Sequence, residues 1–211
     1  MKRIVLILIS SLIVNYTFAQ GIASSAEETC PLKIGMKIPE ADLNTLDGSI
    51  IKITELLSQK PTLLVFYRGS WCPFCNMHLA KLQEYESQII DLGIQILAIS
   101  PDLAENLQKS VDKNQLTYTL LSDSKLELTK KMGLAYRVSD QVVTRYKERG
   151  IVDLAKASGE DHLGLPVPAV YLVDQEGLVQ YSYVNPNYKV RIDPEVLMVV
   201  AKSMIKKEEG E

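Results

Sequence analysis

Cys72 and Cys75 stand three positions apart in "RGSWCPFCNMHL", residues 68–79, behind a tryptophan and with a proline between them. Pro73 suits the first position of a helix, because the N–H it lacks is one that a helix start leaves unpaired. That places Cys72 at the N-cap, where free N–H groups and the positive end of the helix dipole favour a thiolate. A cysteine so placed is a nucleophile near neutral pH. Cys75 falls one turn further, on an apolar stripe, and is expected to be the more buried of the two. Two thiols on one turn close a small, strained disulfide that opens again readily. Cys72 and Cys75 are therefore expected to interconvert between dithiol and disulfide without unfolding the domain.

Other uses of the pair fit less well. A zinc site needs two further soft ligands, and what remains is Cys30, His78 and His162, without the spacing of such sites. Covalent haem attachment requires histidine directly after the second cysteine, where Asn76 stands. A structural bridge across so short a loop removes little entropy from the unfolded chain. The expectation is a redox centre with no metal and no dissociable cofactor. Around it, Arg68 either holds a thiolate or a peroxide oxygen, or is a solvated loop charge. His78 is either a catalytic neighbour of Cys75 or a satisfied core residue. Trp71 reads as a packing cover or a docking surface for a partner. Cys30, in "EETCPLKIG", is expected to be a free thiol that takes no part in the chemistry.

The elements that must position these residues are legible from their patterns. "PTLLVFY" (61–67) is apolar throughout and β-rich, the mark of a strand buried on both faces. After it, Cys75, His78, Leu82, Tyr85, Ile89 and Leu92 recur at helical spacing, and Gly93 is placed to end the helix. "IQILAIS" (94–100) completes a βαβ unit with a parallel strand pair. Ser100 and Pro101 read as the N-cap and first residue of a helix running to about Lys113. A strand at 117–123 and helices at 125–133 and 140–150 follow, the helices closed by glycine. "AVYLVDQEGLVQYSYV" (169–184) is a hairpin turning at 174–177, and Asp193-Pro194 opens a final helix. Pro168 precedes the first hairpin strand, a position proline tolerates, and X-Pro bonds can be cis. The sum is one mixed α/β domain.

The chain has 211 residues, 46% of them hydrophobic and 23% charged, with a formal net charge of −3. Lys2 and Arg3 precede an apolar run from Ile4 to Val14, and Thr17 and Ala19 are small residues at the positions a signal peptidase reads. Residues 1–19 are expected to be a signal peptide, too short to span a bilayer, cut near Ala19. That leaves an N-terminal extension at 20–32 and one domain at 33–211, exported to a periplasmic or extracellular location. An acidic chain without a basic block gives no reason to expect nucleic acid, and no membrane attachment is expected after cleavage.

"LVFYRGSWCPFC" resembles the strand–loop–helix of the thioredoxin superfamily, and "VPAVYLVD" resembles its cis-proline segment. The flanking stretches "IGMKIPEADLNTLDGSIIKITELL", "ISPDLAE", "LLSDSKLELTKKMGL" and "VDQEGLVQY" are similar to the alkyl hydroperoxide reductase/thiol-specific antioxidant (AhpC/TSA) family, the peroxiredoxins. The resemblance covers about residues 33–184 and implies a thioredoxin-like fold, a mixed sheet with helices on both faces. It implies a cis Val167–Pro168 bond facing the cysteine pair. It also sets Cys75 on the family's peroxide-reacting position and Cys72 on the threonine three residues before it. Arg68 falls where the family has proline. Pro168 replaces the family's second arginine, six residues before the aspartate matching Asp174. Phe66 takes the place of the thioredoxins' buried acid.

By this resemblance the expected activity is reduction of peroxides through a Cys72–Cys75 redox disulfide, with electrons from a thioredoxin-type dithiol donor. The alternatives are a disulfide reductase or isomerase acting on secreted proteins, with Cys72 attacking, and a non-catalytic thioredoxin-fold binding module.

Overall fold

An apolar run with no polar face to offer water must sit in the middle of a sheet, and residues 62–66 do. The computed structural model describes residues 21–208. After a 3-10 turn at Ala26–Glu28, the chain forms β1 (Asp42–Asn44), β2 (Ile50–Lys52), α1 (Ile53–Leu57) and β3 (Thr62–Phe66). Helix α2 (Pro73–Asp91) leads to β4 (Gln95–Ser100), α3 (Ala104–Asn114) and β5 (Thr119–Ser122). Next come α4 (Glu127–Lys131), β6 (Ala135–Arg137), α5 (Asp140–Glu148), α6 (Leu154–Ser158) and β7 (Gly164–Pro166). The chain ends with β8 (Ala169–Val173), β9 (Val179–Val184) and α7 (Pro194–Glu208).

Seven strands form one sheet in the order β2-β1-β5-β4-β3-β8-β9, while β6 and β7 pair separately. As expected, the three most apolar runs are neighbours: Leu64 of β3 faces Leu97 of parallel β4 and Tyr171 of antiparallel β8. Side chains alternate across β3. Leu63, Val65 and Tyr67 join the core that holds Leu79, Leu82, Leu107 and Leu197, from α2, α3 and α7. Leu64 and Phe66 join the opposite core with Ile53, Leu57 and Leu128, from α1 and α4. Helices on both faces are therefore what the uninterrupted apolar run required.

Two expectations are corrected. Ser100-Pro101 caps no helix: Ser100 is still paired to Ser122 in the sheet, and α3 starts at Ala104 with Leu103 as its N-cap. The strand ladder claims Ser100 before a cap can form. The Val167–Pro168 bond is not cis, since the described residues contain no cis peptide bond. The chain runs extended from β7 into β8, with Val167 N–H donating to the Leu134 carbonyl at 2.9 Å and the Pro168 carbonyl accepting from Asn185 N–H at 3.3 Å. A cis bond would shorten and turn the chain just where both flanking residues are tied to neighbouring segments.

The proposed signal peptide lies outside the described residues. Where it is described, the stretch at 20–32 lies against the domain: Ala23 bridges Tyr136 and exchanges backbone hydrogen bonds of 2.9 and 2.8 Å with Ala135 and Arg137. No helix among the described residues is long and apolar enough to cross a membrane.

Candidate active site

The loop between β3 and α2 is held from two sides. Asp102, just past the end of β4, accepts from Ser70 N–H at 2.7 Å, and the Asn76 side chain donates to the Ser70 carbonyl at 2.8 Å. Gly69 has φ +145°, and a Cβ there would lie 2.4 Å from Trp71 Nε1 and 2.7 Å from Asp102 Oδ1, so the bend needs glycine. Cys72 N–H donates to the Gly69 carbonyl at 3.2 Å, and the Cys72 carbonyl accepts from Cys75 and Asn76 N–H at 3.1 and 3.0 Å. Cys72 is the N-cap of α2, with Pro73 at the helix start, as its sequence predicts.

Both cysteines are free thiols, and both are fully buried, at 0% exposure. The expected difference in burial is absent, but the two differ electrostatically. The Cys75 thiol donates to Cys72, and with the charges of Arg68 and Arg191 this outweighs burial and brings the Cys72 thiol down to about 6. Burial, together with the neighbouring Cys72, holds the Cys75 thiol well above its ordinary value. Of the two, Cys72 is thus the thiol whose ionisation the site favours, and Cys75 the one it disfavours.

Arg68 is 2% exposed, so it is no solvated loop charge. Its Nη1 lies 4.0 Å from Cys72 Sγ, and its Nη2 donates to the Tyr146 hydroxyl at 2.7 Å. The guanidinium stacks between aromatic faces, 4.0 Å from the ring centre of Tyr188 and 4.9 Å from that of Trp71. No ion pair among the described residues gives Arg68 a carboxylate. Trp71 packs on Tyr146 with ring centres 5.5 Å apart and bridges the main core to a small cluster of Val138, Leu154 and Leu165. Its ring also lies against the Arg68 guanidinium. Outside Arg68 opens a cavity of about 440 Å³, walled by Tyr136, Val142, Arg145, Tyr146 and Tyr188, with Ser24–Glu27 at its edge.

His78 is buried, and its pKa is depressed to about 3, mainly by burial with a contribution from the Arg191 charge. It is a neutral residue of the core face, whose Nε2 has no hydrogen-bond partner among the described residues. Pro168 stands at the start of β8 on a trans bond and offers no cis-proline loop to the pair. Cys30 is exposed and lines another recess with Gly133 and Ala135. Three residues of the site escaped sequence reading: Tyr146 on α5, and Tyr188 and Arg191 between β9 and α7. Arg191 Nη2 lies 3.4 Å from Cys75 Sγ. Nothing in the local pattern marks them, because only the chain's return to the head of α2 makes them neighbours of the cysteines.

The loop anchor has a pH signature. Burial pushes the Asp102 carboxyl up to about 6, against the opposing hydrogen bond from Ser70. A raised acid contributes stability that is present below the ordinary carboxylate range and lost as pH rises through about 6. Asp102→Asn keeps an acceptor for Ser70 and removes the titration. It should match the wild type near pH 4 and gain on the order of 2 kcal/mol over it near pH 8. Urea midpoints across that range test this, and an unchanged pH slope would refute it.

The family model for AhpC/TSA matches residues 34–182. Peroxiredoxin Bcp of Escherichia coli is 30% identical over 104 residues, 49% of this chain and 66%, just under two thirds, of that protein. The 1-Cys peroxiredoxin of Medicago truncatula is 26% identical over 176 residues, 80% of this chain and 72% of that one. Peroxidoxin BcpB from Mycobacterium tuberculosis has a TM-score of 0.63 at 15% identity, covering 82% of this chain and 98% of its own. Reduced Prx3 from Vibrio vulnificus, solved with hydrogen peroxide, has a TM-score of 0.65 at 17% identity, covering 81% and 99%. The two structures share the fold. With a family match that starts ahead of β1 and runs into β9, the chain belongs to the AhpC/TSA family, the peroxiredoxins of the thioredoxin superfamily.

Proposed function

We propose that this protein is an exported thiol peroxidase in which Cys72 attacks peroxide and Cys75 resolves the product, with electrons returned by a thioredoxin-type dithiol donor. The observation that carries the reading is the placement of two buried thiols at the head of α2 with Arg68 Nη1 4.0 Å from Cys72 Sγ, a setting that favours ionisation of Cys72 over Cys75. The Cys72 thiolate attacks one peroxide oxygen, the O–O bond breaks, and the leaving oxygen takes a proton to become an alcohol or water. Cys75 then displaces hydroxide from the Cys72 sulfenic acid, giving the disulfide and, with a proton, water. A dithiol donor reduces that bond by exchange.

The resemblance to the family sets Cys75 on the peroxide-reacting position; the charges around the pair favour Cys72, and a thiolate is what attacks. Export rests on the pattern of Lys2, Arg3, the apolar run and the small residues before Gln20. The second reading, a disulfide reductase, draws on the N-cap position of Cys72. Its weakness is access, because two sulfurs at 0% exposure admit a small peroxide more easily than a protein disulfide. Side-by-side assays on a peroxide and a protein disulfide separate the two. The peroxide is expected to be consumed faster by a factor of about a hundred or more; the reverse order would overturn the assignment.

A further inference from the structure

The segment between β9 and α7 brings a group to the cysteines from beyond the residues that the family model matches, 34–182. Arg191 Nη1 donates to the carbonyls of Tyr188 and Val190, the latter at 2.8 Å, so its own segment holds the guanidinium in place. Nη2 remains free for sulfur and lies 3.4 Å from Cys75 Sγ. Tyr188 of the same segment packs its ring on Phe74, with centres 5.8 Å apart, and lies over the Arg68 guanidinium. The segment is therefore docked on the first turn of α2. Arg191 takes part in no ion pair among the described residues.

We infer that Arg191 is a catalytic residue of the second half-reaction: it makes Cys75 the thiolate that closes the disulfide on oxidised Cys72. The inference rests on the proposed order of attack, Cys72 first. In the reduced enzyme the Cys75 thiol donates to a Cys72 thiolate, and that negative neighbour holds the proton on Cys75. Attack on peroxide turns Cys72 into a neutral sulfenic acid and removes the charge. The cation touching Cys75 Sγ is then Arg191, which favours loss of the proton to solvent. Cys75 attacks Cys72 Sγ, the S–O bond breaks, and the departing hydroxide takes up a proton as water. Two electrons have passed from two thiols to one peroxide.

The other titratable and charged groups facing Cys75 do not compete for this role. His78, on the same helix, is kept neutral mainly by burial. Burial likewise keeps the Tyr67 phenol, at the end of β3, protonated. Arg68 is committed to Tyr146 and lies by Cys72. Arg191 brings its guanidinium to the pair from the segment between β9 and α7.

Rapid quench with mass spectrometry resolves the two steps, counting sulfenic acid and disulfide over time in wild type, Arg191→Met and Arg191→Lys. In Arg191→Met, closure of the disulfide should slow about tenfold or more at pH 7, so that sulfenic acid accumulates, and its pH profile should move up by about one unit. The first step should fall by no more than about threefold, because Cys72 keeps the Cys75 thiol and Arg68. Arg191→Lys, which keeps the charge, should recover most of the closure rate. Closure at the wild-type rate in Arg191→Met, equal slowing in both variants, or slowing of the first step instead would each overturn the inference. Failure of the underlying reading shows differently, as a Cys75→Ser protein that forms no sulfenic acid on Cys72.

Discussion

Cys72→Ser should lose peroxide turnover by a factor of about a thousand or more, whereas Cys75→Ser should react once with peroxide and stop as a sulfenic acid on Cys72. The difference follows from which thiol the site favours as the thiolate. Cys72 accepts from the Cys75 thiol and lies by Arg68, so it is the thiolate, while burial keeps the proton on Cys75. Serine at 75 can still donate to Cys72, but alanine cannot. Cys75→Ala should therefore move the midpoint of the first step upward from about 6. In the wild type, peroxide attack should rise with pH through that midpoint and then level off. A dimedone-type probe with stopped-flow mixing reads both quantities. If the probe labels Cys72→Ser protein and never Cys75→Ser, the peroxide-reacting position is Cys75, as the family pattern would have it.

Arg68→Met should slow the first step about a hundredfold and at the same time make the protein more stable. In the proposed mechanism, the guanidinium 4.0 Å from Cys72 Sγ stabilises the thiolate and the negative charge that develops on the peroxide oxygens. Two unit charges at that spacing interact by about 4 kcal/mol at the effective dielectric near a protein surface, so a loss of about a hundredfold, near 2.7 kcal/mol, is within reach. The fold, however, keeps this cation at 2% exposure with no carboxylate partner among the described residues. Burying a charge in that way costs several kcal/mol, returned in part by about 1–2 kcal/mol of stacking on Tyr188 and Trp71, by the Tyr146 hydroxyl and, once it is ionised, by the Cys72 thiolate. Methionine fits the aromatic box without that cost. The gain in stability should be larger near pH 5 than near pH 9. The depressed Cys72 thiol gives the wild type a paired thiolate above its ordinary range, and that contribution is lost as pH falls through about 6. Denaturant midpoints at both pH values, beside the peroxide rate, measure the trade. A variant that is both slower and less stable would mean that Arg68 serves the packing of the loop and not its charge.

The sequence by itself determined the parts whose cause is local. Residues 62–66 have no polar face, so they had to be a central strand, and β3 is one. The run from Pro73 repeats apolar residues at helical spacing and stops at Gly93, whose φ of +77° suits a residue after a helix end. The same local logic set Cys72 at the N-cap. Short pieces such as β1, β6 and β7, three residues each, carry too few positions for a period to show, and their pairing comes from the sheet they join. Pro168 shows the limit of analogy: the residue is where a cis bond was expected, but hydrogen bonds on both sides hold the chain extended. Tertiary structure alone decided the electrostatics of the pair. Tyr146, Tyr188 and Arg191 lie from about 70 to 120 positions along the chain from the cysteines, and Asp102 about 30. Charge and burial act through space over a few ångströms, so which thiol holds the proton depends on what the fold brings back to the head of α2, and no local pattern records that.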